Sequence, residues 1–186
     1  MYIEGPVKKY LEDLGAKLPA PGGGSAAALL GALGTSLINM VCNFTIGKEK
    51  YKPVEEEVIT ILENSMLLNQ RFQELIDLDV EAFKSRDAQK SLEVPLEICR
   101  LSIKAAELLP ALMEKGNVNL ISDVACAGES LLAGFSCARI NVEINLKNVS
   151  EMRIKTDITQ ELIRNDTRLR EIRDEVSQYA SKTIRG

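Results

Sequence analysis

The sequence contains no histidine and no tryptophan, and only 4% of its 186 residues are aromatic. The missing histidine excludes the most. Without it there is no Ser-His or Cys-His catalysis, no Glu-x-x-His motif of di-iron bundles, and few of the usual zinc sites, so no metal is expected. Acid-base chemistry falls to Asp, Glu, Lys, Tyr or Cys. The shortage of aromatics, set against plentiful Ala, Leu, Ile and Gly, calls for an aliphatic core with close backbone approaches, which favours packed helices. A surplus of positive charge is also lacking. At a formal net charge of −4, broad binding to nucleic acid is not expected, because that affinity comes mainly from Lys and Arg displacing counterions. CxxC pairs and a secretory signal are absent as well. The four cysteines, Cys42, Cys99, Cys126 and Cys137, therefore read as free thiols of a cytoplasmic protein.

What is present is ordinary for one globular domain spanning 1–186, with 45% apolar and 27% charged residues. Val7 to Leu14 predicts a short amphipathic helix stopped by Gly15. Pro19-Ala20-Pro21-Gly22-Gly23-Gly24 reads as a loop, after which Ser25 is placed to cap a helix running to about Ile46. Between Lys17 and Lys48 there is no charge. That run satisfies the length rule for a membrane span, but Ser25, Thr35, Ser36, Asn39 and Asn43 interrupt it, and a central buried helix is the expectation. Gly31 and Gly34 would let neighbouring helices approach it closely.

Pro53 and Glu55-Glu56-Glu57 suit the start of a long helix reaching about Phe83. Its stripe of Val54, Val58, Ile61, Leu62, Leu68, Phe72, Leu75, Ile76 and Phe83 also takes in Ser65 and Asp79. A further helix is expected from near Leu92 to Lys115, with Pro95 in its first turn and a bend at Pro110. The next begins around Asn119 or Ser122 and carries Asp123, Ala127, Ser130, Gly134, Ala138, Asn141, Asn145 and Asn148 on one small, polar face. From about Ser150 to Ile184 the pattern is amphipathic with a charged outer face. The fold class is therefore all-α, a bundle of about six helices around a central small-residue helix.

Several features could carry chemistry, and each has a plain structural reading beside it. Gly22-Gly23-Gly24-Ser25-Ala26-Ala27 formally fits GxGxxA, but no strand precedes it and no Walker Lys follows. It is a tight turn into a packed helix, an anion-binding helix start, or both. Lys48, Lys50, Tyr51 and Lys52 form either a solvated helix end or a clamp for a carboxylate or phosphate. Asp79 interrupts an apolar stripe. Desolvation would raise its pKa toward a proton-transfer role, and the alternative is a buried ion pair. Asp123 lies near a helix start, where the dipole alone favours a carboxylate. The cysteines sit at spacings that suit core packing and read as inert.

Ordered blocks add to this reading. Pro19 to Ala27, Met40-Val41 and Thr45-Ile46-Gly47-Lys48-Glu49-Lys50-Tyr51 resemble the N-terminal signature of the formimidoyltetrahydrofolate cyclodeaminase and methenyltetrahydrofolate cyclohydrolase family. Asp79-Val80-Glu81-Ala82-Phe83 is similar to that family's Asp-x-x-Ala-Phe element, and Val94-Pro95-Leu96 to its Val-Pro-Leu helix start. Gly116 to Asp123 and Asn141 to Leu146 resemble its last two blocks. Glu49 stands where a Lys is more usual, and the C-terminal helix carries no matching motif.

The resemblance implies an all-α, commonly homodimeric enzyme that binds folate, including polyglutamylated forms, and needs neither metal nor prosthetic group. It also implies that the formiminotransferase domain fused to animal versions is not expected here. Two reactions fit: hydrolysis of 5,10-methenyltetrahydrofolate to 10-formyltetrahydrofolate, and cyclodeamination of 5-formiminotetrahydrofolate with release of ammonia. On the matched positions, Asp79 or Asp123 is the expected proton shuttle. Asn117 and Asn145 would orient the pterin or one-carbon group. Lys48, Lys50 and the Ser25 helix start would hold the glutamate tail, with Gly23, Gly24 and Tyr51 as further substrate-binding positions. The competing expectation is a non-enzymatic helical module that binds folate or a protein partner.

Overall fold

A computed structural model describes the whole chain, Met1–Gly186. Seven α-helices follow one another without a strand: α1 (Val7–Gly15), α2 (Gly23–Asn43), α3 (Glu55–Ser85), α4 (Ala88–Ala106), α5 (Leu109–Lys115), α6 (Ile121–Asn145) and α7 (Met152–Arg185). The all-α class agrees with the sequence. The extra helix arises because the segment expected to run from Leu92 to Lys115 is two helices. Pro110 has no N–H for the carbonyl of Ala106, so α4 ends there and Pro110 enters the first turn of α5. The start of α4 also moves back to Ala88, because the Asp87 carboxylate accepts the N–H groups of Gln89 (3.0 Å) and Lys90 (3.1 Å) as an N-cap. Pro95 therefore lies inside α4 and not in its first turn.

The small-residue helix α2 packs against α3 on one side and α6 on the other. Ala27, Ala28, Ile38, Val41 and Cys42 on it are fully buried. Its glycines set these approaches: a Cβ on Gly34 would lie 2.8 Å from Leu131 Cγ of α6, and one on Gly31 would lie 2.5 Å from Phe72 Cδ1 of α3. From α6, a Cβ on Gly134 would come 3.0 Å from the Ala27 carbonyl oxygen. The small face of α6 is thus largely an interhelix contact. By length and composition α2 and the segment Val118–Asn148 are each apolar enough to cross a bilayer, but the apolar side chains of α2 just named go into the core of the bundle.

Register between α2 and α3 is fixed by polar groups as well as by shape. Asn69 Nδ2 donates to the Ala32 carbonyl (2.8 Å) and to Thr35 Oγ1 (2.9 Å), and Ser65 Oγ donates to the Thr35 carbonyl (3.2 Å). Buried amides need such partners, and sliding one helix along the other would break all three bonds together. At the far end of α3 the buried Asp77 carboxylate accepts the N–H groups of Tyr2 (2.7 Å) and Ile3 (3.3 Å), which ties the N-terminus down. Along α7, Ile158, Leu162, Leu169, Ile172 and Val176 close the core, whereas Ile154 and Tyr179 stay exposed. Arg100–Glu161 (2.6 Å), Arg173–Glu129 (3.1 Å) and Arg139–Asp166 (3.3 Å) join α7 to α4 and α6.

Candidate active site

At one end of the bundle the start of α2, the end of α3, the start of α4 and the end of α6 surround a cleft of about 270 Å³. Its lining includes Gly22, Gly23 and Gly24, Asp79, Ala82, Phe83, Ser91, Pro95, Asn141, Ile144 and Asn145.

The start of α2 differs from the expected one in a way that makes the site. Ser25 does not cap the helix. Gly22 is the N-cap and Gly23 and Gly24 are already helical, so the first-turn N–H groups need an acceptor from elsewhere. Asp79 of α3 supplies it: its Oδ2 accepts the Ser25 N–H at 2.8 Å. The carboxylate lies so close that a Cβ on Gly24 would come within 2.6 Å of Asp79 Cγ. Glycine is required there by proximity, with no positive φ involved. Behind Ser25, the buried Tyr10 hydroxyl of α1 donates to Ser25 Oγ (3.2 Å).

Asp79 is half-buried, and its partner is a main-chain N–H where an ion pair had been the alternative. Burial raises its carboxyl above the ordinary carboxylate range, and the Ser25 N–H opposes part of that rise. A carboxylate with a raised pKa, open on one side to a cleft, is a better proton acceptor and can return the proton it takes.

The amides beside it are held differently from each other. Pro95 has no N–H, which leaves the Ser91 carbonyl without its helical donor. Asn145 Nδ2 fills that vacancy at 2.6 Å. This nitrogen is therefore committed to α4, leaving the Asn145 carbonyl oxygen for a ligand. Asn141, which was noted on the face of α6 but not chosen as a site residue, also lines the cleft, and its Nδ2 donates to the Cys137 carbonyl (2.9 Å). Its four-residue spacing from Asn145 was the signal that could have found it.

The other expected site residues lie elsewhere. Lys48, Lys50, Tyr51, Asn117 and Asp123 gather at the opposite end, where α2 finishes and α6 begins. With 21 residues in α2, the two groups are separated by roughly 30 Å at 1.5 Å per residue. Asn117 is 95% buried, the complement of its 5% exposure, and serves as a clamp. Its Nδ2 donates to the Phe44 carbonyl (3.1 Å), its N–H to Thr45 Oγ1 (2.9 Å), and its Oδ1 accepts from Tyr51 Oη (3.4 Å) and the Asn119 N–H (3.2 Å). The Tyr51 hydroxyl in turn accepts the Val118 N–H (3.1 Å). Lys48 and Lys50 are exposed, and Lys50 Nζ lies 5.3 Å from the Tyr51 ring centre. Asp123 is partly exposed in the first turn of α6, where the helix dipole favours a carboxylate.

Two further expectations need correction. Phe83, counted on the buried stripe of α3, is 58% exposed at the mouth of the cleft. The stripe drifts around a straight helix, and by its last turn it faces beyond the start of α2. Of the cysteines, Cys42 and Cys99 are buried, and burial pushes both thiols up to about 12. Cys126 is exposed and not part of the core.

Comparison with known proteins bears on what the cleft acts upon. The chain is 36% identical to the methenyltetrahydrofolate cyclohydrolase of Methylorubrum extorquens, over 84% of this chain and 86% of that one. It is 27% identical to the formimidoyltransferase-cyclodeaminase of Rattus norvegicus, over 80% of this chain but only 32% of that longer protein. The crystal structure of formiminotetrahydrofolate cyclodeaminase from Thermotoga maritima superposes with a TM-score of 0.90 at 28% identity, covering 96% of this chain and 97% of that one. The sequence profile described as Formiminotransferase-cyclodeaminase matches residues 6–88 and 84–164, so both the α2–α3 and the α4–α6 walls of the cleft fall inside it. With the profile spanning most of the bundle and a 36% identical relative matched over 86% of its length, the chain belongs to the formiminotransferase-cyclodeaminase family.

Proposed function

We propose that the chain is a folate one-carbon enzyme that acts in the Asp79 cleft on the carbon bridging N5 and N10 of tetrahydrofolate. The observation that carries this reading is the raised Asp79 carboxyl, held over the start of α2 and open to a cleft with two amides opposite. In the hydrolytic direction the Asp79 carboxylate takes a proton from water as the water oxygen attacks the methenyl carbon. The amidinium π electrons pass to nitrogen and a tetrahedral carbinolamine forms. The carbon–N5 bond then breaks as Asp79 returns its proton to N5, and the hydroxyl loses a proton to become the 10-formyl carbonyl. One proton is released overall. In cyclodeamination N10 attacks the formimino carbon and gives up its proton, and the amino group leaves as ammonia after protonation. Both routes need one group that alternates between base and acid, and a carboxyl with a raised pKa performs both roles.

Hydrolysis is the first reaction to test, given the higher identity to the cyclohydrolase than to the rat cyclodeaminase. The methenyl chromophore reads both. Accelerated loss of absorbance from 5,10-methenyltetrahydrofolate reports the cyclohydrolase, and accelerated gain from 5-formiminotetrahydrofolate reports the cyclodeaminase, a lyase. No acceleration of either overturns the assignment.

The second half of the proposal is a cytoplasmic homodimer, one domain per chain, working without a prosthetic group, nucleic acid or membrane. Leu33 on α2 and Ile140 on α6 are each more than half exposed. A two-fold axis crossing α2 near its middle would cover this face and turn the partner's α2 antiparallel. The Lys50 and Asp123 end of one protomer would then lie beside the Asp79 cleft of the other. The expected outcome is a dimer by sedimentation. In addition, mixing and reassembling inactive Asp79→Asn and Lys50→Ala chains should restore about a quarter of wild-type activity, because half the dimers are mixed and each carries one intact composite site. Monomeric, active protein would rule this arrangement out.

A further inference from the structure

We infer that Phe83, with Ile144 across the cleft mouth, forms the subsite that holds the p-aminobenzoyl ring of the substrate. This rests on the folate reading above and extends it to substrate positioning. Phe83 is a large aromatic left 58% exposed, and Ile144 is 55% exposed. Both border the same cleft, from the end of α3 and the end of α6. Four residues separate Phe83 from Asp79 on one helix, which places their Cβ atoms one turn apart, about 5–6 Å. A flat ring seated on Phe83 would therefore lie next to whatever Asp79 protonates.

The polarity of the cleft selects between the two rings of the substrate. Asp79, Asn141, Asn145 and Ser91 gather around the start of α2. The pterin, with its amino, ring N–H and carbonyl groups, can satisfy these polar groups. The p-aminobenzoyl ring has apolar faces and suits a side-chain pair with no hydrogen-bonding capacity, through offset stacking on Phe83 and contact with Ile144. With that ring at the mouth, the glutamate beyond it leaves the cleft, while the one-carbon bridge lies over Asp79.

The experiment compares wild type with Phe83→Ala and Phe83→Tyr, after melting curves establish that all three fold alike. Phe83→Ala is expected to raise the KM for 5,10-methenyltetrahydrofolate about tenfold with kcat within about twofold, and Phe83→Tyr to restore the wild-type KM. Binding of two fragments locates the effect. Phe83→Ala should lose p-aminobenzoylglutamate while keeping 6-methyltetrahydropterin. An unchanged KM in Phe83→Ala, selective loss of the pterin fragment, or failure of wild type to bind p-aminobenzoylglutamate would each overturn the subsite. Wild type that binds p-aminobenzoylglutamate through Phe83 but turns over neither folate substrate would instead overturn the enzymatic reading and leave the subsite standing.

Discussion

Asp79→Asn should reduce turnover by about 10²–10⁴-fold while leaving the protein folded. The amide keeps an oxygen that can accept the Ser25 N–H, now at 2.8 Å, so the start of α2 retains its acceptor. Asp79→Ala would leave that N–H without a partner and confuse structure with chemistry. What Asn cannot do is take up and return a proton. The pH dependence separates the two roles further. Because burial raises the Asp79 carboxyl, the folded state holds a proton that the unfolded state has already released over the window between the ordinary carboxylate value and the raised one. Stability therefore falls as pH rises through that window and is level above it. In Asp79→Asn this component of the slope disappears, so the melting temperature at neutral pH is equal to or above that of wild type. The acid limb of kcat/KM, set by the need for a carboxylate before water attack, should lie above the ordinary carboxylate range in wild type. Full turnover by Asp79→Asn would remove Asp79 from the mechanism.

Gly31→Val should be the most damaging single change in the α2 contacts, costing about 3 kcal/mol. A Cβ at Gly31 would lie 2.5 Å from Phe72 Cδ1, and Phe72 is fully buried with no room to turn aside. The helix-propensity advantage of a non-glycine residue, at most about 1 kcal/mol, does not offset a displaced aromatic ring in a close-packed core. For a chain of this length the melting temperature should fall by about 6–12 °C. The cause can be checked with Phe72→Leu, a smaller side chain at the contact. In that background Gly31→Val should cost clearly less than it does alone, a coupling that a double-mutant cycle measures directly. Equal costs in the two backgrounds would show that the α2–α3 approach is not what demands glycine.

Most of the fold was legible because helices are local. The uncharged, small-residue run of α2, the triple-Glu start of α3 and the charged outer face of α7 each declare themselves in a window of a few turns. The errors fell where a boundary depends on something distant or on a competing cap. Asp87 moved the start of α4 by four residues from that expected at Leu92, and the first turn of α2 includes glycines that look like loop residues because its acceptor comes from α3. Asp77 gave no local sign of its role, since its partners are main-chain N–H groups at the N-terminus.

The sequence by itself determined the all-helical class, the exclusion of histidine from any acid-base step, and the place of Asp79, an acid on an apolar stripe, beside Asp123 as a candidate shuttle. Periodicity and composition are properties of a chain read in order, and those conclusions need nothing more. Only the tertiary structure decided which of the suspect residues share a site. It joined Asp79 to Gly24 and Ser25, brought in Asn141, committed one nitrogen of Asn145 to the carbonyl freed by Pro95, and turned Phe83 outward. It also set Lys50, Tyr51, Asn117 and Asp123 at the other end of the same helices. The physical reason is that a helix fixes which residues share a face but not which end of a neighbour they meet. That is settled by how α2, with glycine at each close approach, packs between α3 and α6.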